Sequence, residues 1–352
     1  MLLFRVPACE GSAAGTLNGS ATVSVSGWGY RNRTYAYRFR VCCPTARRIP
    51  SIPQILTRRY KWHKVSTWHL SCCRADRVDH KIQPQGRKIS ELEVLMYTID
   101  LSGKTAVVFG IANQRSIAWS ITKILSDAGA EIVAAYQNER VKEPVSKLTS
   151  ELPNVSMIEC DVSDDKNVES AFSQINSISG KVDIVVHSIA FAQKEDLGGR
   201  FVDTDREGFR IALDISAYSL VSISRHASRL MTEGGNIITM SFMAAEKVFP
   251  GYNVMSTAKA ALENEVMQLA NDLGPDGIRV NAISAGPLDT LSSRVISGYR
   301  DMKKAHLERA PMKRNITHDE VASTALYLCS DMSSGVTGEV VHVDTGYHVM
   351  GI

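Results

Sequence analysis

The sequence predicts an α/β fold with a doubly wound parallel sheet and helices on both of its faces. Short apolar runs alternate with helix-length segments from residue 104 onwards. Strands that alternate with helices form parallel sheets, because a helical crossover returns the chain to the same edge of the sheet. The charge balance changes near residue 95, so this fold is expected to occupy residues 96–352 as a single domain.

The strands are predicted where apolar runs end at turn or polar residues. The first run stops at Gly110, and the fourth ends on His187. Runs of this length between turn residues are typical of strands buried on both faces. The predicted strands span residues 104–109, 131–135, 155–160, 182–187, 236–240, 278–284 and 340–343.

The helices are predicted in the gaps between these strands. Gly129 is placed to end the first helix, and Gly274-Pro275 ends the fifth. Thr317 and Glu320 have the spacing of a capping box at the start of the last helix. The predicted helices lie near residues 116–128, 139–151, 164–178, 206–230, 253–272 and 319–330.

Residues 1–95 form a basic N-terminal extension. They hold 16 Lys+Arg and 5 Asp+Glu, which leaves 24 and 32 for residues 96–352. The acidic body argues against nucleic acid as its substrate. The extension is expected to be disordered and outside the catalytic fold. A mis-assigned start, with Met96 as the natural one, is the first interpretation; an organellar transit peptide is the second, and a working domain the third. The corresponding locations are the cytoplasm for the first and a plastid-type organelle for the second.

Cysteine usage and hydropathy exclude several further classes of protein. The adjacent cysteine pairs at 42–43 and 72–73 lack the Cys-x-x-Cys spacing of zinc sites, so no metal site is expected. Cys160 and Cys329 are isolated at predicted core positions, which indicates a reducing compartment. No apolar run approaches the ~18 residues of a membrane-spanning helix.

The first strand-to-helix turn, from Gly110 to Ser116, has features of a dinucleotide site. Small residues there let backbone amides and the helix N-terminus reach a pyrophosphate. With one glycine instead of Gly-x-Gly-x-x-Gly, the turn also fits an ordinary βα connection, and Ser116 fits both an N-cap and a phosphate contact. Gln137, after the second strand, is neither the acidic residue typical of NAD sites nor a basic pair. NADH is therefore favoured over NADPH, with Arg140 close by.

Polar and small residues follow the third and fourth strands. Asp161 could accept a hydrogen bond from the adenine amino group or cap the next helix. Ser188 and its neighbours are small enough for a nicotinamide ring to lie against the backbone. His187 is interpreted as a packed, hydrogen-bonded residue and not as an acid–base catalyst.

Tyr252 and Lys259 are the candidate catalytic pair. Seven positions separate them, so they lie about two helical turns apart on one face. The ammonium can hold a cofactor hydroxyl and bias the phenol toward giving up its proton. This pair predicts reduction of a carbonyl or a conjugated thioester. Taken alone, the two residues also fit a packed aromatic residue and a solvated lysine.

Together these motifs resemble the enoyl-acyl-carrier-protein reductases of bacterial and plastid type-II fatty acid synthesis. That family is a divergent Tyr-x6-Lys branch of the short-chain dehydrogenase superfamily and has a Rossmann-type fold. The resemblance covers residues 96–352. Its motifs are Gly110-Ile-Ala-x3-Ser116-Ile-Ala118, Tyr136-Gln-Asn138, Cys160-Asp-Val162, His187-Ser-Ile-Ala190, Asp214-Ile-Ser216, Tyr252-x6-Lys259, Arg279-Val-Asn-Ala-Ile-Ser-Ala-Gly-Pro-Leu-Asp-Thr-Leu291 and Gly338-Glu-Val-Val-His-Val-Asp344.

The resemblance implies reduction of a trans-2-enoyl thioester on acyl carrier protein by NADH, in a homotetramer without nucleic-acid or membrane partners. It implies that Tyr252 faces the substrate and that Lys259 binds the nicotinamide ribose. The implied cofactor site consists of Gly110, Ser116, Ile117, Gln137, Asp161, Val162, Ser188, Ile189, Ala190, Lys259, Leu288 and Thr290. The implied substrate pocket consists of Phe242, Met255 and Tyr299, and residues 287 to about 306 form a mobile substrate-binding loop.

Two departures and three alternatives accompany this interpretation. Phe242 stands where many bacterial members have a second tyrosine, and Ala190 where glycine is frequent. A carbonyl reductase acting on a 3-oxoacyl thioester is disfavoured, because its Tyr-x3-Lys spacing and glycine-rich turn are absent. A non-catalytic NAD-binding protein is disfavoured by the presence of both Tyr252 and Lys259. A nucleic-acid-binding protein would use the basic extension.

Overall fold

The computed structural model describes residues 22–24, 36–38, 98–291, 293, 296 and 298–351. The chain divides into two units, Met1–Lys88 and Ile89–Ile352. In the first unit, strands β1 (Thr22–Ser24) and β2 (Ala36–Arg38) pair antiparallel. The other residues of the basic extension, its cysteine pairs included, lie outside the described residues. The predictions for residues 1–95 therefore stay predictions.

The second unit contains a seven-stranded parallel sheet, as the sequence predicted. The strand order is β5-β4-β3-β6-β7-β8-β9, so the chain winds outward in both directions from β3 and β6 at the centre. The strands are β3 (Thr105–Phe109), β4 (Glu131–Tyr136), β5 (Val155–Glu159), β6 (Ile184–His187), β7 (Gly235–Ser241), β8 (Ile278–Ala285) and β9 (Val340–Val343).

Helices cover both faces of this sheet. Alternate residues of β3 point to opposite faces, so Ala106 and Val108 join one apolar core while Val107 and Phe109 join the other. Helices α1, α2 and α8 contribute to the first core, and α3, α5 and α6 to the second. The helices are α1 (Ile117–Asp127), α2 (Glu139–Thr149), α3 (Asp165–Ser179), α4 (Arg206–Leu213), α5 (Ser219–Ser228), α6 (Val254–Leu273), α7 (Tyr299–Arg309) and α8 (His318–Leu328).

Two predicted elements differ from the structure. The helix predicted at 206–230 is divided by one π-helical turn, Asp214–Tyr218, between α4 and α5. The segment 287–306, predicted as a loop, contains most of α7. The sequence gives little sign of α7, because His306 is its one buried residue and it presents no apolar stripe.

Within the described ranges, no helix has the length and apolar character needed to cross a membrane. In that same part of the chain, no three His, Cys, Asp or Glu side chains are grouped as metal ligands.

Candidate active site

The candidate site lies along the carboxyl edge of the sheet. Strands β3 and β6 are neighbours there, and the chain leaves them toward opposite ends of the sheet. Ligands of doubly wound sheets bind in the crevice at such a switch point. The predicted site residues follow the ends of β3 to β8, so the topology alone brings them to one edge.

Gly110 brings the turn after β3 against the end of β6. Its φ is 96°, and a Cβ added there would lie 2.0 Å from the carbonyl oxygen of Ser188. The amide of Ser188 in turn donates to the carbonyl of Phe109 at 3.3 Å. No side chain fits between these two backbones, so glycine is required for the close approach.

Ser116 organises this turn and does not cap the helix with its side chain. Its Oγ accepts from the amides of Ala112 and Asn113 at 3.0 and 2.9 Å, and α1 has no side-chain cap. The first turn of α1 also has no acidic residue. The positive end of the helix is thus left for an anion from elsewhere. Ile117, the first residue of α1, packs against the core.

The ends of β4 and β5 place the residues predicted for the adenosine half. Gln137 is exposed directly after β4, and the side chain of Asn138 accepts from Arg140 N as the cap of α2. Asp161 Oδ1 accepts from Ser163 N and Oγ. Asp161 is not the helix cap, since Asp164 has that position in α3. Val162 packs against the second core, which fixes the backbone beside Asp161.

His187 ends β6 as a buried, neutral imidazole. Its Nδ1 lies 2.8 Å from Thr239 Oγ1 and its Nε2 lies 2.9 Å from Ser219 Oγ. Burial lowers its pKa to about 3, with a smaller lowering by the charge of Lys259. The interpretation of His187 as a packed residue is confirmed. Of the residues that follow, Ser188 and Ile189 are half-buried and Ala190 is exposed.

Lys259 lies in the interior of the site, on α6. It is 4% exposed, and its Nζ donates to the carbonyl of Met240 at the end of β7, 2.7 Å away. Burial lowers its pKa to about 8, while the carboxylate of Glu263 raises it. A buried lysine with a lowered pKa is typical of functional sites, and its two other N–H groups remain available to a ligand.

Tyr252 precedes α6 and packs against an aromatic ring. The ring of Phe242 meets it edge-on with centroids 5.2 Å apart, and Phe249 packs on Phe242 at 4.8 Å. Its hydroxyl makes no hydrogen bond within the described part of the chain. Burial raises the pKa of Tyr252, and the nearby Tyr299 raises it further. The predicted effect of Lys259 on this phenol stays a prediction, while burial keeps the phenol protonated.

Asn253, which the sequence analysis missed, holds the turn at the start of α6. Its φ of 37° lies in the left-handed region, which is rare for a residue with a side chain. Its Nδ2 donates to the carbonyl of Gly198, in the connection between β6 and α4. Asparagine tolerates positive φ better than most residues, and this is the one signal that the sequence offered.

The residues predicted for the acyl pocket lie near Tyr252. Met255 is 5% exposed on the first turn of α6, and its Sδ lies 3.7 Å from Ser216 Oγ. Ser216, in the π-helical turn, also binds the amide and the carbonyl of Phe191, each at 2.8 Å. One hydroxyl therefore joins the chain after β6 to the helix that carries Met255. Ser216 is part of the Asp214-Ile-Ser216 motif, but no role was predicted for it from the sequence.

The connection after β8 is held together by hydrogen bonds among its own polar groups. Tyr299 donates its hydroxyl to the carbonyl of Leu288, which fixes the start of α7. Thr290 and Ser293 exchange amide–hydroxyl bonds at 2.9 and 3.1 Å. The Leu288 side chain is buried in the first core, so its backbone is what faces this connection. The structure thus joins Tyr252, Tyr299 and Leu288 in one region.

The cofactor residues and the acyl-pocket residues are arranged as two adjoining groups. Gly110, Ser116, Gln137 and Asp161 follow β3, β4 and β5, on one side of the switch point. The candidate catalytic pair and the predicted pocket follow β7 and β8, on the other side. Three predicted cofactor residues, Lys259, Leu288 and Thr290, lie among the second group.

Comparison with known proteins agrees with this geometry. The family model described as Enoyl-(Acyl carrier protein) reductase matches residues 110–348. Enoyl-[acyl-carrier-protein] reductase [NADH] 1 of Rhizobium meliloti is 49% identical over 252 residues, which is 72% of this chain and 93% of that protein. Enoyl-[acyl-carrier-protein] reductase [NADPH] of Staphylococcus aureus is 49% identical over 254 residues, 72% of this chain and 99% of that protein.

A solved structure gives the same result. The enoyl-(acyl-carrier-protein) reductase of Anaplasma phagocytophilum in complex with NAD superimposes with a TM-score of 0.70 at 45% identity, covering 72% of this chain and 97% of that one. The matches extend over nearly the whole length of each relative. On the family model and these identities, the chain belongs to the enoyl-(acyl carrier protein) reductase family.

Proposed function

We propose that this chain reduces the carbon–carbon double bond of a trans-2-enoyl thioester on acyl carrier protein, with NADH as the hydride donor. The observation that carries the proposal is the pairing of Tyr252, half-buried and with no hydroxyl hydrogen bond within the described residues, with the buried Lys259 seven positions on, whose Nζ is held at the end of β7. The family membership supports the substrate class. The reaction is the last step of the fatty acid elongation cycle.

The residues at the carboxyl edge fit a dinucleotide. Gly110 lets the backbone reach a pyrophosphate, since a Cβ would collide with Ser188. The uncapped N-terminus of α1 supplies amides and the positive end of a helix dipole. Gln137 and Asp161 would hold the adenosine half, and Ser188 to Ala190 would line the nicotinamide. The uncharged Gln137 favours NADH, whereas the Staphylococcus relative is named for NADPH.

Tyr252 stabilises the charge that develops on the substrate. When NADH is bound, it supplies the hydride that adds to the β-carbon of the enoyl group. Negative charge then develops on the thioester oxygen, and the Tyr252 hydroxyl donates to that oxygen. A phenol whose pKa is raised by burial is protonated at neutral pH, as this role requires. The ring of Phe242, which meets the Tyr252 ring edge-on, shields one side of the phenol and so would strengthen the hydrogen bond.

Lys259 orients the donor and does not take part in proton transfer from Tyr252. Its Nζ is anchored on Met240 O and can offer its other two N–H groups to ribose hydroxyls. The α-carbon then takes its proton from solvent or through a relay. Met255 and Tyr299 would contact the acyl chain, beside the connection that holds Leu288 and Thr290.

An assay of two thioesters tests the proposal. The full chain is given crotonyl thioester or acetoacetyl thioester, and oxidation of NADH, and separately of NADPH, is followed by absorbance. We expect turnover of the crotonyl thioester with NADH. Turnover of the acetoacetyl thioester instead would identify a carbonyl reductase. NADH binding without turnover of either would identify a non-catalytic binding protein.

We propose further that acyl carrier protein is the protein partner and that the chain is a homotetramer. The resemblance supports both. Light scattering on the purified full chain measures the assembly. A mass four times 38.6 kDa is expected, and a monomer would contradict the proposal.

Residues 96–352 are proposed as the catalytic domain, with the cytoplasm as its location. The family match begins at residue 110, which is consistent with this boundary. If residues 1–95 are a cleaved leader, a plastid-type organelle is the location. The intact mass of the natural protein distinguishes the two, because a start at Met96 and a cleaved leader give different N-termini.

A further inference from the structure

Two hydrogen bonds clamp helix α6 to the end of β7. Lys259 Nζ donates to Met240 O at 2.7 Å, and Ser241 Oγ donates to Glu263 Oε1 at 2.5 Å. Met240 and Ser241 are consecutive residues of the strand, while Lys259 and Glu263 are four positions apart on the helix. Residues at this spacing lie on one helix face, so the ammonium and the carboxylate are neighbours.

Glu263 is the acidic group that acts on the charge of Lys259. Lys259 is 4% exposed, and no carboxylate within the described ranges lies within salt-bridge distance of its Nζ. A buried cation without compensation loses its proton readily. Burial lowers the pKa of Lys259 to about 8, and the Glu263 carboxylate opposes that lowering.

The other ionisable groups near this pair come from three elements. From β6, His187 is neutral over the working pH range, because burial lowers its pKa to about 3. Burial raises the pKa of Glu263, and the charge of Glu246, which follows β7, raises it further. From β9, His342 Nε2 lies 3.5 Å from Glu246 Oε1.

From His342 on β9, a series of contacts between ionisable side chains leads toward the surface. The ring of His342 stacks on His348 with centroids 4.0 Å apart, and His348 Nδ1 lies 3.0 Å from the Asp344 carboxylate. Glu246 and Asp344 therefore each have an imidazole partner. Glu263 instead accepts a hydrogen bond from Ser241 and lies next to Lys259. It is therefore the carboxylate whose charge acts on the buried ammonium.

We propose that Glu263 is a positioning residue for the reduction: its carboxylate, held by Ser241, keeps the buried Lys259 ammonium charged and directed at bound NADH. The proposal rests on the function proposed above and adds a residue to it. Glu263 acts through Lys259 and touches neither the substrate nor the reacting atoms.

The test is the pH dependence of NADH affinity in a Glu263→Gln variant of the full chain. Glutamine keeps the size and can still accept from Ser241, but it removes the charge. The ammonium of Lys259 should then lose its proton at lower pH. We expect the pH above which NADH binding weakens to fall by roughly one unit, the scale of a nearby charge. At pH 8 the dissociation constant should rise several-fold, about as far as a one-unit shift allows.

Glu265→Gln is the matched control. Glu265 lies on the same helix, and burial raises its pKa to about 7, but its position two residues on faces away from Lys259. Its NADH profile should match that of the natural chain. If Glu263→Gln does not fold, Glu263→Asp keeps the charge but withdraws it from Lys259, and about half the shift is expected.

NADH binding is measured by fluorescence titration, so the test does not depend on turnover. A Glu263→Gln profile that coincides with that of the natural chain would overturn the proposal, as would equal weakening at every pH, which indicates a structural role alone. For Glu263→Asp, an unshifted profile has the same meaning. Failure of the proposed function is seen separately, when the natural chain binds NADH but leaves the crotonyl thioester unreduced.

Discussion

Gly110, in the proposed cofactor site, has no room for a side chain. Its φ of 96° disfavours any residue with a side chain, and a Cβ added there would lie 2.0 Å from Ser188 O. For Gly110→Ala, we expect the free energy of unfolding to fall by about 2–6 kcal/mol, since backbone strain and overpacking each cost about 1–3 kcal/mol. NADH binding should be lost with it. Urea denaturation and NADH titration measure the two effects.

Gly103 supplies the control for this change. Its φ is also left-handed, at 75°, but a Cβ there meets nothing within 4 Å. Gly103→Ala should therefore cost only the conformational strain, about 1 kcal/mol. Equal losses in the two variants would show that the contact with Ser188 has no role.

At this scale, the sequence predicted residues whose position follows from local geometry. Tyr252 and Lys259 are separated by two helical turns, and Gly110 follows a strand, so their places could be read directly. Asn253 and Glu263 could not be predicted. Their roles depend on Gly198 and Ser241, partners that only tertiary packing brings near.

The start of α6 is the element on which the candidate site depends. Asn253 carries the strained φ and also tethers the connection after β6 through Gly198. Asn253→Gly should relieve the strain and lose the tether, whereas Asn253→Ala should keep the strain and lose the tether. We expect the alanine variant to be less stable than the glycine variant by about 1–2 kcal/mol.

Both variants should raise KM for the enoyl thioester to a similar degree, because both release the Gly198 segment. Chemical denaturation and steady-state kinetics separate the two effects. An alanine variant as stable as the glycine variant would show that the φ of Asn253 is not strained in solution.

The sequence predicted the elements that bury apolar residues on both faces, as the strands do, or along one face, as most helices do. Elements without such a pattern were not predicted. The strands and most helices bury enough residues to reveal their period. Helix α7 buries His306 alone, and the π-helical turn Asp214–Tyr218 adds a residue to a continuous helix without interrupting its pattern. Neither feature has a signal in hydrophobic periodicity.

The stability of the whole molecule should depend on the neutral form of His187. In the unfolded chain an imidazole titrates near 6.5, but in the fold its pKa is about 3. Between these values the unfolded state binds a proton that the folded state does not. The free energy of unfolding should therefore fall by up to about 1.4 kcal/mol per pH unit as the pH is lowered from about 6 toward 3, with no contribution from His187 above 6.5.

His187→Asn isolates this effect. The amide can still bind one of the two hydroxyl groups, Thr239 or Ser219, but it does not titrate. The variant should lose stability less steeply than the natural chain between pH 6 and 4.5, as measured by urea denaturation at each pH. Parallel curves would contradict the assignment.

For the molecule as a whole, the fold was predictable because its sheet is buried on both faces and its strands alternate with helices. In a doubly wound parallel sheet, the residues that follow the strands all lie at the carboxyl edge, so the grouping of the site residues follows from the fold. The raised pKa of Tyr252 could not be read from the seven-residue spacing, because burial is a property of the assembled fold.

The most direct test of the account compares Tyr252→Phe with Lys259→Ala in steady-state reduction of crotonyl thioester. The tyrosine variant should lose about 10²-fold in kcat with nearly the natural KM for NADH, because one oxyanion contact is removed. The lysine variant should chiefly raise the KM for NADH. Natural turnover in both variants would contradict the claim that a protonated phenol, beside a cofactor held by a buried ammonium, stabilises the developing oxyanion.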